Sequence, residues 1–182
     1  MADDKQGRFD APGMPSSDAA LSSCGQYRYR LTRTWRPEQP RATFIMLNPS
    51  TADAEHDDPT IRRCMGYARD WGLGGLIVVN LYAYRATDPD DLWKAADPVG
   101  PDNDAHLRAV LDAAAIAGAP VVAAWGANAR SERGAEVMQF AGAVTALGLT
   151  KAGQPRHPLY LRKDAQPTRW EPVLNSAMAT HA

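Results

Sequence analysis

Three short apolar runs constrain the fold of this chain most: residues 43–47 (Thr-Phe-Ile-Met-Leu), 76–80 (Leu-Ile-Val-Val-Asn) and 121–125 (Val-Val-Ala-Ala-Trp). Each is strand-length and apolar on both faces, as strands of a helix-covered sheet are. Between the first two, Ile61, Cys64, Met65, Ala68 and Trp71 recur at spacings of three and four, with Asp58-Pro59 as N-cap and first-turn proline. Gly72-Leu73-Gly74-Gly75 ends that helix. Further helices are expected over residues 88–93, from Asp102 or Asn103 to about Ala117, from about Ser131 to Leu147, and over 167–178. Residues 159–161 read as a short last strand or extended segment. Strands alternating with helices predict an α/β fold with a mostly parallel central sheet between two helical layers, a three-layer α/β/α sandwich. Right-handed crossovers then bring the ends of the parallel strands to one rim.

Upstream, residues 26–35 alternate Tyr27, Tyr29 and Leu31 against Arg28, Arg30 and Thr32, the period of a half-exposed strand. It is expected at the edge of the sheet, paired as a hairpin with the 42–47 strand across Arg36-Pro37-Glu38-Gln39-Pro40. A chain of 182 residues suits one core, so residues 24–182 read as a single domain. The leader 1–23, rich in Asp, Gly, Pro and Ser, reads as disordered and lacks the apolar centre of a signal peptide. No apolar run reaches membrane-spanning length. Cys24 and Cys64 have no metal-ligand spacing, so a reduced, cytoplasmic protein without a metal or other cofactor is expected. A net charge of −1 gives no general attraction to nucleic acid, which leaves a DNA partner dependent on a local patch. Lys151, Arg156, Arg162, Lys163 and Arg169 form such a stretch, offset in part by Asp164 and Glu171. It reads either as a phosphate-contacting edge or as a solvated surface.

The strand ends carry the polar side chains. Asn48 follows the first run, Asn80 ends the second, Asn128 lies just beyond Trp125-Gly126, and His157 sits in the 153–158 loop. An open α/β sheet binds ligands at that edge. An Asn amide offers a donor and an acceptor together, enough to read the edge of a nucleobase. A loop His can donate to an oxygen that gains charge as a base departs. Asn80 follows four apolar residues, where an unpaired amide is costly, so a ligand or a fixed backbone group must satisfy it. Asn48 either positions water or caps its own turn. Lacking a carboxylate, it supports only a reaction in which the base leaves before water is deprotonated. Asp53, with Asp57 and Asp58, reads as an activating carboxylate or as helix capping; Tyr82 and Tyr84 as base-stacking or core aromatics. Ser50 and Arg156 complete the candidate binding set, and the Pro- and Asp-rich loops near 86–104 are expected to border the site. Phosphate loops and nucleophile elbows are missing from the sequence.

Met46-Leu47-Asn48-Pro49-Ser50-Thr51-Ala52-Asp53, Asp58-Pro59-Thr60-Ile61-Arg62-Arg63 and Val79-Asn80-Leu81-Tyr82-Ala83-Tyr84-Arg85-Ala86-Thr87 resemble hallmark segments of domain-of-unknown-function family 1643, over roughly residues 25–175. The order of strand-end motifs also resembles the uracil-DNA glycosylase superfamily. Leu47-Asn48-Pro49-Ser50 is similar to its water-positioning segment, Leu76-Ile77-Val78-Val79-Asn80 to the strand whose Asn reads the uracil edge, Val122-Ala123-Ala124-Trp125-Gly126-Ala127-Asn128-Ala129 to its Leu-Leu-Trp-Gly strand, and His157-Pro158 to its His-Pro-Ser segment. The chain departs from that pattern at Met46, where the superfamily has Gly, and at Leu159, where it has Ser. The resemblance implies a glycosylase-like fold that recognises a nucleobase, with Asn48 and His157 catalytic and Asn80 reading the base; the residues themselves add Asp53 to the catalytic candidates and Ser50, Tyr82, Asn128 and Arg156 to the binding ones. The implied partner is a nucleobase, a nucleotide, or DNA presenting a single strand or flipped base. The alternatives are a non-catalytic nucleotide- or modified-base-binding module and a different small-molecule hydrolase on the same scaffold.

Overall fold

A computed structural model describes residues 16–50 and 52–172. Seven strands form one sheet: β1 (Ser16–Leu21), β2 (Arg28–Thr34), β3 (Arg41–Met46), β4 (Gly75–Asn80), β5 (Val121–Ala123), β6 (Val144–Ala146) and β7 (Thr168–Trp170), in the order β1-β2-β4-β3-β5-β6-β7. Four α-helices connect them: α1 (Pro59–Asp70), α2 (Pro89–Lys94), α3 (Asn103–Ile116) and α4 (Ser131–Met138). A 3₁₀ turn spans Pro158–Tyr160. The fold is α/β, as expected.

The sheet is mixed, which corrects the expectation of a mostly parallel one. β4, β3, β5 and β6 run parallel, but β1 on β2, β2 on β4 and β6 on β7 are antiparallel. The apolar-on-both-faces signal finds only interior strands; the flanking ones are short or half-exposed. Nor does β2 pair with β3. Central β3 has parallel neighbours on both sides, so β2 lies across β4. β1 falls inside the stretch read as a disordered leader, and residues 1–15 lie outside the described ones. The helix expected to run to Leu147 stops at Met138, and β6 follows. Residues 168–170 are strand instead of the start of a terminal helix, whose remainder from 173 lies outside the described residues. Residues 158–160 form the 3₁₀ turn instead of a strand.

Alternation along the strands divides the apolar residues into two clusters. Phe44, Met46, Val78 and Val122 pack with Ile61, Cys64, Tyr67 and Ala68 of α1. Ile45, Val79 and Ala123 pack with Leu107, Val110 and Leu111 of α3 and Val137 of α4. Phe44 and Ile45 are fully buried on either side of β3, each contributing about 1.5–3 kcal/mol. α1 starts where the sequence sets it: the Asp58 carboxylate accepts from Ile61 N at 2.9 Å, ahead of Pro59.

β2 breaks the alternation its sequence suggests. Between Ala20 and Leu21 of β1 the register steps from Arg30 to Arg28, so Tyr29 is one extra residue, a bulge. Tyr29 stacks on His106 of α3 at 4.7 Å, whereas Arg28 and Leu31, three positions apart, both face the α1 side. Among the described residues no helix is long and apolar enough to cross a membrane.

Candidate functional site

The ends of β3, β4 and β5 and the start of α1 enclose a cleft of about 610 Å³, within the range of small-molecule sites. Asn48, Ser50, Asn80, Asn128, Arg156 and His157 all line it, from positions over a hundred residues apart. Arg28, Asp58, Thr60 and Tyr160 join them, and Ala86 and Thr87 supply the border expected of the 86–104 loops. Asp53 and Tyr82 do not line it.

Asn48 is held by two backbone carbonyls. Its Nδ2 donates to Ala86 O at 2.8 Å and Pro49 O at 3.0 Å, which fixes the amide's orientation and leaves Oδ1 without a hydrogen-bond partner among the described residues. The chain beyond both strands stays zipped, with Leu81 N donating to Met46 O, Tyr82 N to Leu47 O and Ala86 N to Pro49 O. Asn48 thus both ties its own turn and lines the cleft.

Asn80 is 1% exposed, and its Nδ2 has no hydrogen-bond partner among the described residues. Leaving such a donor unsatisfied costs about 1–3 kcal/mol. Its backbone is anchored instead: Asn103 Nδ2 donates to Asn80 O and Leu81 O, both at 3.1 Å, and Arg133 Nε donates to Leu81 O at 2.9 Å. The end of β4 is thus pinned from α3 and α4 while the side-chain donor stays uncommitted.

His157 reaches the cleft through Trp125-Gly126. Trp125 Nε1 donates to Gln154 Oε1 at 3.0 Å, and Gly126 N to Pro155 O at 2.9 Å. Gly126 has φ +81°, a conformation that favours glycine, and a Cβ there would sit 3.5 Å from His157 Cβ. His157 Nδ1 accepts from Leu159 N at 3.4 Å, so the neutral ring carries its proton on Nε2. Burial pushes its pKa below the ordinary value, with Asp58 opposing. The Tyr160 ring, 74% exposed, lies 5.8 Å from that of His157 at the mouth.

The expected carboxylate, Asp53, is a turn residue. Its Oδ1 accepts from Glu55 N and His56 N, both at 2.8 Å, and these bonds lower its pKa to about 2. Asp58 is the carboxylate on the cleft wall, with Oδ1 engaged by the cap of α1. Tyr82 is 3% exposed and packs edge-on to Trp93 at 5.0 Å in the α3 and α4 cluster, so it is a core aromatic. Tyr84 packs edge-on against Tyr27. Of the basic stretch, Arg162 pairs with Asp164 and Arg169 with Glu171, both at 2.9 Å, which neutralises much of it. Arg156, exposed at the mouth, forms no ion pair among the described residues.

Sequence reasoning missed Arg28. It is 2% exposed, and burial lowers its pKa to about 10, with Asp58 opposing. Its Nη1 donates to Ala52 O, while Nε has no partner among the described residues. No local signal separated it from Arg30, because the bulge that turns it toward the cleft is a property of strand pairing. Among the described residues no group of three His, Cys, Asp or Glu side chains could hold a metal ion.

The model of the family described as Protein of unknown function (DUF1643) matches residues 28–159, well over half of the chain. That span holds every cleft residue named above except Tyr160. No curated protein matches the chain.

Proposed function

The chain belongs to the DUF1643 family, a family of unknown function, so its chemistry has to be read from the cleft, and we propose that the cleft binds a nucleobase. The observation that carries this reading is Asn80, a residue of the cleft wall whose buried Nδ2 donor has no partner among the described residues. A base carbonyl supplies the acceptor it lacks. The resemblance of the strand-end motifs to the glycosylase superfamily, and their meeting at one cleft, support a glycosylase-like, three-layer description of the fold as part of the same proposal.

The reaction that fits is hydrolysis of an N-glycosidic bond, in DNA or in a nucleotide. The bond between the sugar carbon and the base nitrogen breaks, and its electron pair leaves with the base. Charge gathers on the base oxygens, where His157 Nε2–H donates a hydrogen bond. Water held by Asn48 Oδ1 bonds to the sugar carbon and gives up its proton afterwards. Asp58, the cleft carboxylate, is the acceptor for that proton, in place of Asp53. Ser50, Asn128 and Arg156 are left for the sugar and its phosphates.

One observation favours a second reading, a non-catalytic base- or nucleotide-binding module: Asp58 already caps α1 and the Asn48 amide hydrogens are spent on carbonyls. The test is incubation with single- and double-stranded oligonucleotides carrying uracil or other altered bases, and with free nucleotides, followed by alkaline cleavage and chromatography. Base release that disappears in Asn48→Ala and His157→Ala supports hydrolysis. Saturable binding without release selects the module. Absence of both sinks the nucleobase proposal.

A further inference from the structure

Arg28 is set apart from the other buried arginines by what it lacks. Arg33, 4% exposed, donates to Asp57 Oδ1 at 2.9 Å. Arg133, 6% exposed, pairs with Asp104 and with Glu136 at 3.2 Å. Among the described residues, Arg28 forms no ion pair with a carboxylate, although it is buried more deeply than either. A guanidinium is a five-donor group matched to carboxylate and phosphate oxygens, and burying it without such a partner is costly. Backbone carbonyl Ala52 O occupies one donor, and Nε–H has no hydrogen-bond partner among the described residues. Asp58 offsets part of the charge through space, but it lies beyond ion-pairing distance and does not satisfy Nε–H. The bulge at Tyr29 is what places this charge on the cleft side of β2, and bulges are over-represented where a side chain is re-aimed beside a site.

We propose that the ligand of this cleft is an anion and that Arg28 binds its oxyanion, a phosphate or a carboxylate, as the fixed counter-charge the protein itself does not supply. The proposal deepens the nucleobase reading by naming a nucleotide over a nucleoside as the ligand class. It rests on that reading only for its choice of nucleotide probes.

The full chain is titrated with uridine, uridine 5′-monophosphate, inorganic phosphate and acetate, at constant ionic strength, by calorimetry and by the Arg28 Nε–H NMR resonance, assigned through its loss in Arg28→Lys. The expected result is that the monophosphate binds about tenfold or more tightly than uridine. Inorganic phosphate or acetate shifts the Nε–H resonance saturably, and whichever does so more strongly identifies the oxyanion. Within Arg28→Met, the monophosphate loses most of its advantage over uridine. Should that variant not fold, the wild-type comparisons decide alone. If phosphate or acetate binds at Arg28 while neither uridine compound does, the anion site stands and the nucleobase reading falls. Measurable and equal binding of uridine and its monophosphate, or an Nε–H resonance that no anion moves, overturns the proposal.

Discussion

Asn103, on α3, donates its side-chain amide to the backbone carbonyl of Asn80 at 3.1 Å, so a residue on the far side of β4 anchors the backbone that carries the cleft's most deeply buried side-chain amide. The same Nδ2 also serves Leu81 O. Asn103→Ala should cost about 1–3 kcal/mol in urea unfolding, since one carbonyl loses its described side-chain donor and the other keeps only Arg133. Ligand affinity should fall as well, although Asn103 does not line the cleft.

Asn80 itself should behave in the opposite way. Its Nδ2 bonds to none of the described residues, so replacing it with the similarly sized, apolar Leu removes a desolvated donor. Asn80→Leu is expected to leave urea stability unchanged or raise it by about 1 kcal/mol, and to abolish nucleotide-induced thermal stabilisation. A large loss of stability would mean that the amide has an internal role.

Gly126→Ala places a Cβ at φ +81°, 3.5 Å from His157 Cβ. The contact distance is ordinary, so backbone strain dominates, at about 1–2 kcal/mol. The strain acts where Gly126 N holds Pro155 O, so the NMR signals of His157 should shift along with the stability loss.

Burial lowers the His157 pKa, and that of His106 in the same direction. When the folded pKa lies below the unfolded one, the unfolded chain binds more protons, and stability rises with pH. Stability should therefore be level above the ordinary His range and fall as pH drops through it. His157→Gln should weaken that dependence without removing it, because His106 remains. An NMR titration placing His157 above its ordinary value would contradict the assigned environment.

Strand ends were legible because apolar runs stop on polar residues there. Asn48 and Asn80 were visible as candidates for that reason and His157 as a loop histidine, and all three line one cleft. Tyr82 could be read from its sequence either as a base-stacking or as a core aromatic, and its place among Trp93 and the α3 and α4 side chains favours the core role. β6 was absorbed into a helix because 140–147 is rich in Ala and apolar residues, a composition compatible with either state. Asp58 was readable as an N-cap, and its place on the cleft wall depended on where α1 docks. Partner choice among strands left no local mark at all, which hid both the β2–β4 pairing and Arg28.

The extra residue in β2 also determines which changes of chain length this edge can absorb. Deleting Tyr29 would return β1 and β2 to unbroken two-residue alternation yet keep Arg28 and Leu31 on their common face, at the expense of the stack on His106. Inserting a further residue there would instead carry Arg28 to the helix α3 side. At this position the cleft tolerates a lost codon better than a gained one.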